Sequence, residues 1–403
     1  MISLSANSTP RTRNMFRISR FQEVLKHLPR GVFERAVRSR QADKHRKKFN
    51  CWQQLVNLLF AQLSGASSLR TLESSFNAHT AHHYHLGCNP IRRATLADAN
   101  AQGHSEVFAE IAQALMQQAR GSVPAQAQEF LQLLDSTSIT LKGPGFDDWT
   151  LENRTRNTQG LKLHLVLGLA QQAPLAQSIS AANLNDLDYA RTLDIQPGAI
   201  YVFDKAYCDY SWWWKMSQEG ARFVTRFKRN ARLEVKRARR IPRNARELIL
   251  KDELVLLSNK NPGGRRSNPY SDALRRIEVA RAGKPALVLA TNDLKSSALR
   301  IAERHKARWQ IELFFKWIKQ HLNIKRFLGR TQNAVRIQIL TALIAYLLVR
   351  LYARAHGVKT SLWLLLSELR ASLFQRPQIE LHRHRRWRQQ RFMHDLYQRP
   401  LFT

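Results

Sequence analysis

The segment that most limits what this chain can fold into is residues 298–323, ALRIAERHKARWQIELFFKWIKQHLN. Read at about 3.6 residues per turn, His305, Arg308, Glu312, Lys316 and Lys319 fall on one narrow stripe. Ile311, Phe314, Phe315, Ile318 and Leu322 cover one flank, and Trp309, Leu313 and Trp317 cover the other. A surface helix normally shows a broad polar face. A charged line hemmed in by large apolar groups instead predicts one continuous helix, mostly packed in protein, with that line left open. An Arg308–Glu312 pair on a solvated face is the plain structural reading. A single carboxylate among three or four cations is nevertheless poor salt-bridge design, and it suits a metal ligand beside phosphates better.

Charge narrows the partner. The 403 residues carry a formal +35, yet 44% are hydrophobic, enough for a sizeable core and too many for a disordered basic tail. A chain so basic repels itself unless a polyanion is near, which points to nucleic acid first and an acidic membrane surface second. The charge is uneven: net +10 over residues 1–125, −3 over 126–224, +13 over 225–300 and +15 over 301–403. Carboxylates supply the hard oxygen ligands that Mg²⁺ prefers, so an acidic stretch in a basic chain fits metal chemistry on a phosphate backbone. Acidic surface residues that keep this region soluble are the alternative. Cys51, Cys88 and Cys208 are odd in number and widely spaced, which argues for a reducing compartment without disulfides or ordinary zinc sites. Residues 1–14 lack the apolar core of a signal peptide. The apolar run 337–349 falls short of the roughly twenty residues of a membrane span. A soluble, cytoplasmic, nucleoid-associated protein without a membrane partner is expected.

The expected fold class is α/β. Residues 1–125 read as a helical N-terminal region, with apolar three- and four-residue spacing at 21–28 and 51–60 and a cap at Thr95. Strands are expected at 129–141, 160–168, 198–204 and 222–228, with helical segments between and after them. Residues 229–290 read as a small, basic, β-rich insertion; residues 291–358 return to helix, and 359–403 form a basic helical tail. Asp135 and Asp204 lie at or near apolar strand segments, where a buried carboxylate needs a partner or a metal. Joined with Glu312, they make the three-carboxylate set that two-metal phosphoryl transfer uses, with the ions roughly 4 Å apart. Glu234 and Lys236 after Asp204 imitate the pattern of restriction-like nucleases and keep that alternative open. His79, His82, His83, His85 and Cys88 are crowded but fit no ordinary zinc spacing. Trp212, Trp213 and Trp214 read as core packing.

Residues 308–319, RWQIELFFKWIK, resemble the R-x3-E-x6-K part of the signature of bacterial insertion-sequence transposases of family four, a DDE class with a Y-R-E-K signature. Leu134-Asp135-Ser136-Thr137 resembles their first-aspartate motif, and Phe203-Asp204-Lys205-Ala206-Tyr207 resembles the second. The resemblance implies a ribonuclease-H-like catalytic core in two parts, 126–228 and 291–358, with the β-rich insertion between them and a helical N-terminal DNA-binding domain before. It implies that Asp135, Asp204 and Glu312 are catalytic and hold two Mg²⁺ ions, with Mn²⁺ able to substitute. DNA contacts are implied for His305, Arg308, Lys316 and Lys319. The partners implied are double-stranded DNA, as terminal inverted repeats and target, and a second copy in a paired-end homodimer. The chemistry implied is cut-and-paste transposition; a catalytically inactive repressor is the rival reading. This chain departs from the pattern at His305, where the family has tyrosine, and at Ala206, where glycine is common.

Overall fold

The computed structural model describes residues 18–121, 130–258 and 268–375. The expectations for residues 1–14 and for the part of the C-terminal tail beyond residue 375 lie outside them. Seven helices come first: α1 (Arg20–Leu25), α2 (Arg30–Ser39), α3 (Cys51–Ser64), α4 (Leu69–Asn77), α5 (Thr80–Leu86), α6 (Arg93–Gln102) and α7 (Ser105–Gly121). The cap expected at Thr95 falls inside α6, which starts two residues earlier, after Arg92. Then follow β1 (Leu131–Thr140), α8 (Asp147–Thr150), β2 (Gly160–Gly168), β3 (Ala173–Ala181), α9 (Asp186–Thr192), β4 (Ile200–Phe203), α10 (Tyr210–Gln218) and β5 (Arg222–Arg226). The chain continues through β6 (Leu233–Ala238), β7 (Ile249–Leu257), β8 (Leu274–Val279) and β9 (Leu287–Thr291). It ends in α11 (Ala298–Ala307), α12 (Trp309–His321), α13 (Gln332–Ala355) and α14 (Leu362–Ser372).

All nine strands form one sheet in the order β3-β2-β1-β4-β5-β9-β8-β7-β6. β1, β4 and β5 run parallel, and the other pairs are antiparallel. β4 reads Ile-Tyr-Val-Phe and is wholly buried, as a central parallel strand with both faces covered must be. Side chains alternate between the two faces. Leu133, Val202, Val224, Ile277 and Leu289 join one core with the helices of both ends of the chain. Leu134, Phe203 and Phe223 join a second with Trp212 and Trp213 of α10, so these tryptophans are core packing, as expected.

Residues 229–290 are β-rich, and the pairing of β9 with β5 carries the central sheet on to β6. Two expectations need correction. β3 lies where only helix was expected; it is an edge strand, half-buried over most of its length, so its sequence shows no clean alternation. Residues 298–323 are not one helix. At Arg308 the bonding tightens to three-residue steps, Arg308 N to His305 O at 3.1 Å and Ile311 N to Arg308 O at 3.2 Å, and α11 gives way to α12.

The N-terminal helices position that break. α13 is apolar and long enough to cross a membrane, but its apolar window is 83% buried, packed by α3, α6, α7 and α14. Gln62 of α3 accepts the Asn323 N–H at 2.7 Å just past α12, which ties the C-terminal end of α12 to this bundle. Two buried ion clusters tie the other end. Asp252 of β7 takes two bonds from Arg275 of β8, at 2.7 and 2.6 Å. Asp293, after β9, accepts from Arg304 of α11 at 2.7 Å and from the Ser296 hydroxyl at 2.6 Å.

Burial alone would raise the Asp293 carboxyl, but the Ser296 and Arg304 bonds outweigh it and hold it well below the ordinary range. A depressed carboxyl stabilises the fold above its unfolded value, about 3.9, and that contribution is lost as pH falls through the folded value. Asp293→Asn should therefore cost about 3–5 kcal/mol at pH 7, because it removes the carboxylate that the buried Arg304 guanidinium faces. Denaturant midpoints at pH 7 and at pH 3 measure this; an equal loss at both would contradict the assignment.

Candidate active site

Leu134 of β1 pairs in parallel with Phe203 of β4. The next residues on the two strands are Asp135 and Asp204, which the ladder sets side by side at a spacing of about 4.8 Å. Asp204 ends the apolar run and opens a tight turn, its Oδ1 accepting from Ala206 N at 3.3 Å. One ladder step further, β5 ends on Arg226, whose Nη2 meets Asp204 Oδ2 at 2.7 Å. Arg308, at the break between α11 and α12, spans the other two carboxylates. Its Nη2 lies 2.6 Å from Glu312 Oε1 and its Nη1 lies 3.7 Å from Asp135 Oδ2.

Three carboxylates from three elements thus converge under two guanidinium groups. Burial pushes the Asp135 carboxyl up to about 6; the Ser136 N–H and Arg308 oppose that shift, and the negative charges of Glu312 and Asp204 add to it. Arg308 compensates such a carboxyl only in part, and the donor set is all oxygen, which suits a hard divalent cation. Among the described residues, however, no three His, Cys, Asp or Glu side chains are gathered into a ready cation cage. The arginines occupy carboxylate oxygens that an ion would take or share.

The remaining stripe residues divide. Lys319 reaches back to β1, donating to Thr137 Oγ1 at 2.6 Å and to Ser138 O at 3.1 Å, and burial lowers its pKa. Lys316 is exposed and forms no ion pair among the described residues. His305 is largely enclosed, with a buried Nε2 lacking a partner; burial first, and then Arg308 and Arg226, push it down to about 4. The packing expected on both flanks of the stripe holds on one only. Ile311, Phe314, Phe315 and Ile318 are buried, whereas Trp309 is 56% and Leu313 41% exposed.

Sequence reasoning missed Arg226, whose place beside Asp204 follows from strand register rather than from any local motif. It also missed Asp186, which accepts from the Ser136 hydroxyl at 2.8 Å and pairs with Lys162 at 3.0 Å, bracing β1 next to Asp135. Glu234 lies on β6, the far edge of the sheet from these groups, paired with Lys236, so the restriction-like arrangement does not form. The crowded histidines hold no metal cluster among the described residues: His83 stacks on Phe76, and His79 on Phe374.

With its midpoint near 4, His305 is neutral at physiological pH. In the metal-free protein its ring proton resonances should stay constant between about pH 5.5 and 8; a midpoint near the ordinary value of about 6.5 would show that the imidazole is not enclosed as described.

Comparison with known proteins gives the family. Residues 129–348, more than half of the chain, match the transposase DDE domain model, and residues 17–89 match a domain of unknown function (DUF4372). A chain of Sinorhizobium fredii assigned as transposase y4zB is 40% identical over 265 residues, 65% of this chain and 72% of that one. A Geobacillus stearothermophilus chain assigned as the transposase of insertion sequence element IS5377 is 28% identical over 55% of this chain, which spans only 56% of that relative. The piggyBac transposase in a synaptic complex with hairpin DNA superposes with a TM-score of 0.45 at 11% identity, over 95% of this chain and 82% of that one. That likeness is too distant to define the fold. The matched domain is that of divalent-metal-dependent enzymes that carry out transesterification on DNA. On the extent of that match and the identity to the first relative, this chain belongs to the DDE transposase family.

Proposed function

We propose that this transposase moves an insertion sequence by cut-and-paste, with Asp135, Asp204 and Glu312 as its catalytic carboxylates. The observation that carries the reading is their convergence, from the middle of β1, the end of the adjacent parallel strand β4 and a separate helix, around Arg308. The sheet order, three antiparallel strands followed by two parallel ones with carboxylates at the first and fourth, supports a ribonuclease-H-like core. Two Mg²⁺ ions, with Mn²⁺ able to substitute, would be held by these carboxylates and would supply positive charge at the attacking and leaving oxygens.

The protein's own groups hold and orient the DNA. Arg308 has five donors in a rigid plane, so it can keep its carboxylates and still take a phosphate oxygen. Lys316 projects freely from the same helix. Lys319, fixed on β1, and the neutral His305 border the phosphate path without swinging into it. Water attacks the phosphodiester at the element end; the released 3′-hydroxyl then attacks the opposite strand, closing a hairpin and freeing the flanking DNA, and a second water reopens the hairpin so that the regenerated 3′-hydroxyl can attack the target. The helical region 20–121, net basic in sequence, would bind the inverted repeats, and two copies would pair the ends. Such a protein would work in the bacterial cytoplasm, at the nucleoid.

Cleavage of an inverted-repeat end in Mg²⁺ tests this. Glu312→Ala should lose several kcal/mol of transition-state stabilisation, roughly a thousandfold or more in rate, whereas Glu234→Ala should cut normally. Retained cutting by Glu312→Ala sinks the carboxylate assignment. Since cation binding must displace the proton on Asp135, Mg²⁺ affinity should weaken as pH falls below about 6; calorimetric titration at pH 5.5 and 7.5 measures it, and a pH-independent affinity would remove Asp135 from the ligand set.

A further inference from the structure

The sheet does not stop at the carboxylates. From β5 it continues through four more strands, and because β9 and β7 run antiparallel, β8 and β6 point the same way as β1, β4 and β5. The register line from Arg226 passes through Leu289, Ile277 and Asp252. It ends at Arg239, whose N–H bonds Asp252 O at 2.7 Å. The carboxyl ends of β4, β5, β8 and β6 therefore form one rim, and Asp135, halfway along β1, lies beside it next to Asp204. From β5 outward it is basic: Arg229 follows β5, Arg281 and Lys284 follow β8, and Arg240, Arg243 and Arg246 follow β6. All six are exposed, and none has a carboxylate partner among the described residues. Arg281 is close enough to act on His305, so the basic rim is continuous with the active site.

We propose that this rim is a DNA rail that seats the duplex on one side of the cleavage point; this rests on the transposase reading above and adds where the duplex runs. Six ladder steps separate β1 from β6, about 29 Å at roughly 4.8 Å each, which matches about eight base pairs of duplex at 3.4 Å per pair. Cations on an edge strand also block edge-to-edge pairing of sheets. That function accounts for nothing at Arg229, Arg281 and Lys284, which are not on the edge.

Binding of the full chain to arbitrary-sequence duplexes, in EDTA and over a range of KCl, tests the rail apart from catalysis. Arg240→Gln/Arg243→Gln/Arg246→Gln should flatten the dependence of log affinity on log salt by about 0.9 for each phosphate left without its cation, hence by roughly 2–3. Arg229→Gln/Arg281→Gln/Lys284→Gln should act alike. For the parent protein, shortening the duplex below about eight pairs should weaken binding sharply; for the β6 triple variant it should matter little. An unchanged slope in soluble triple variants, or variants that aggregate while their soluble fraction binds as the parent does, overturns the rail. Cleavage of a true end with an unchanged slope would defeat the rail alone. Loss of slope in a protein that cuts no end would defeat the transposase reading alone.

Discussion

The parallel pairing of β1 with β4 is the constraint on which the rest depends. Both strands are apolar and buried ahead of an aspartate, and their observed register sets Asp135 and Asp204 side by side. Two negative charges about 5 Å apart repel by roughly 3 kcal/mol at an effective dielectric of 20. Burial raises the cost further. Arg226 on the next strand and Arg308 on the helix are the compensation the fold supplies, and both are positioned by rigid elements rather than by loops.

Arg308 owes its place to interactions far from the carboxylates. α11 is pinned by Arg304 on Asp293, and the chain leaving α12 is pinned by Gln62 of α3. Between two fixed ends, a continuous helix would set the spacing of its side chains by the helical repeat alone. The tightened turn at Arg308 breaks that repeat at the residue that must reach both Asp135 and Glu312. The strands beyond β5 and the N-terminal helices are therefore part of the site's support, one holding each side of the break.

How much of this was legible follows from range. The apolar runs that end on Asp135 and Asp204, and the stripe carrying Arg308 and Glu312, are local patterns, and reading them brought the carboxylates into one hypothesis. Arg226 and Asp186 were invisible because their roles come from strand register and from a helix start, neither of which has a local signature. β3 was missed because an edge strand half-buried along most of its length loses its alternation. The helix break escaped notice because residues 305–311 all have helical character; only tertiary pinning shows where the repeat must yield. The exposed flank of Trp309 and Leu313 has the same origin, since periodicity says which residues share a face but not whether anything covers it.

The uneven charge acquires a geometric meaning in the sheet. Residues 126–224, net −3, contribute the acidic end of the rim, and residues 225–300, net +13, contribute its basic continuation. Within the interior the same basic stretch commits Arg275 to Asp252, and the following helix commits Arg304 to Asp293, so these cations serve the fold and do not face a polyanion. Of the others, Arg229, Arg240, Arg243, Arg246, Arg281 and Lys284 are exposed beyond the carboxyl ends of β5, β6 and β8, where strand direction gathers them. A lysine at position 308 would hold the same charge but lack the planar fork that reaches two carboxylates from two elements at once. At that position geometry, not charge, selects arginine.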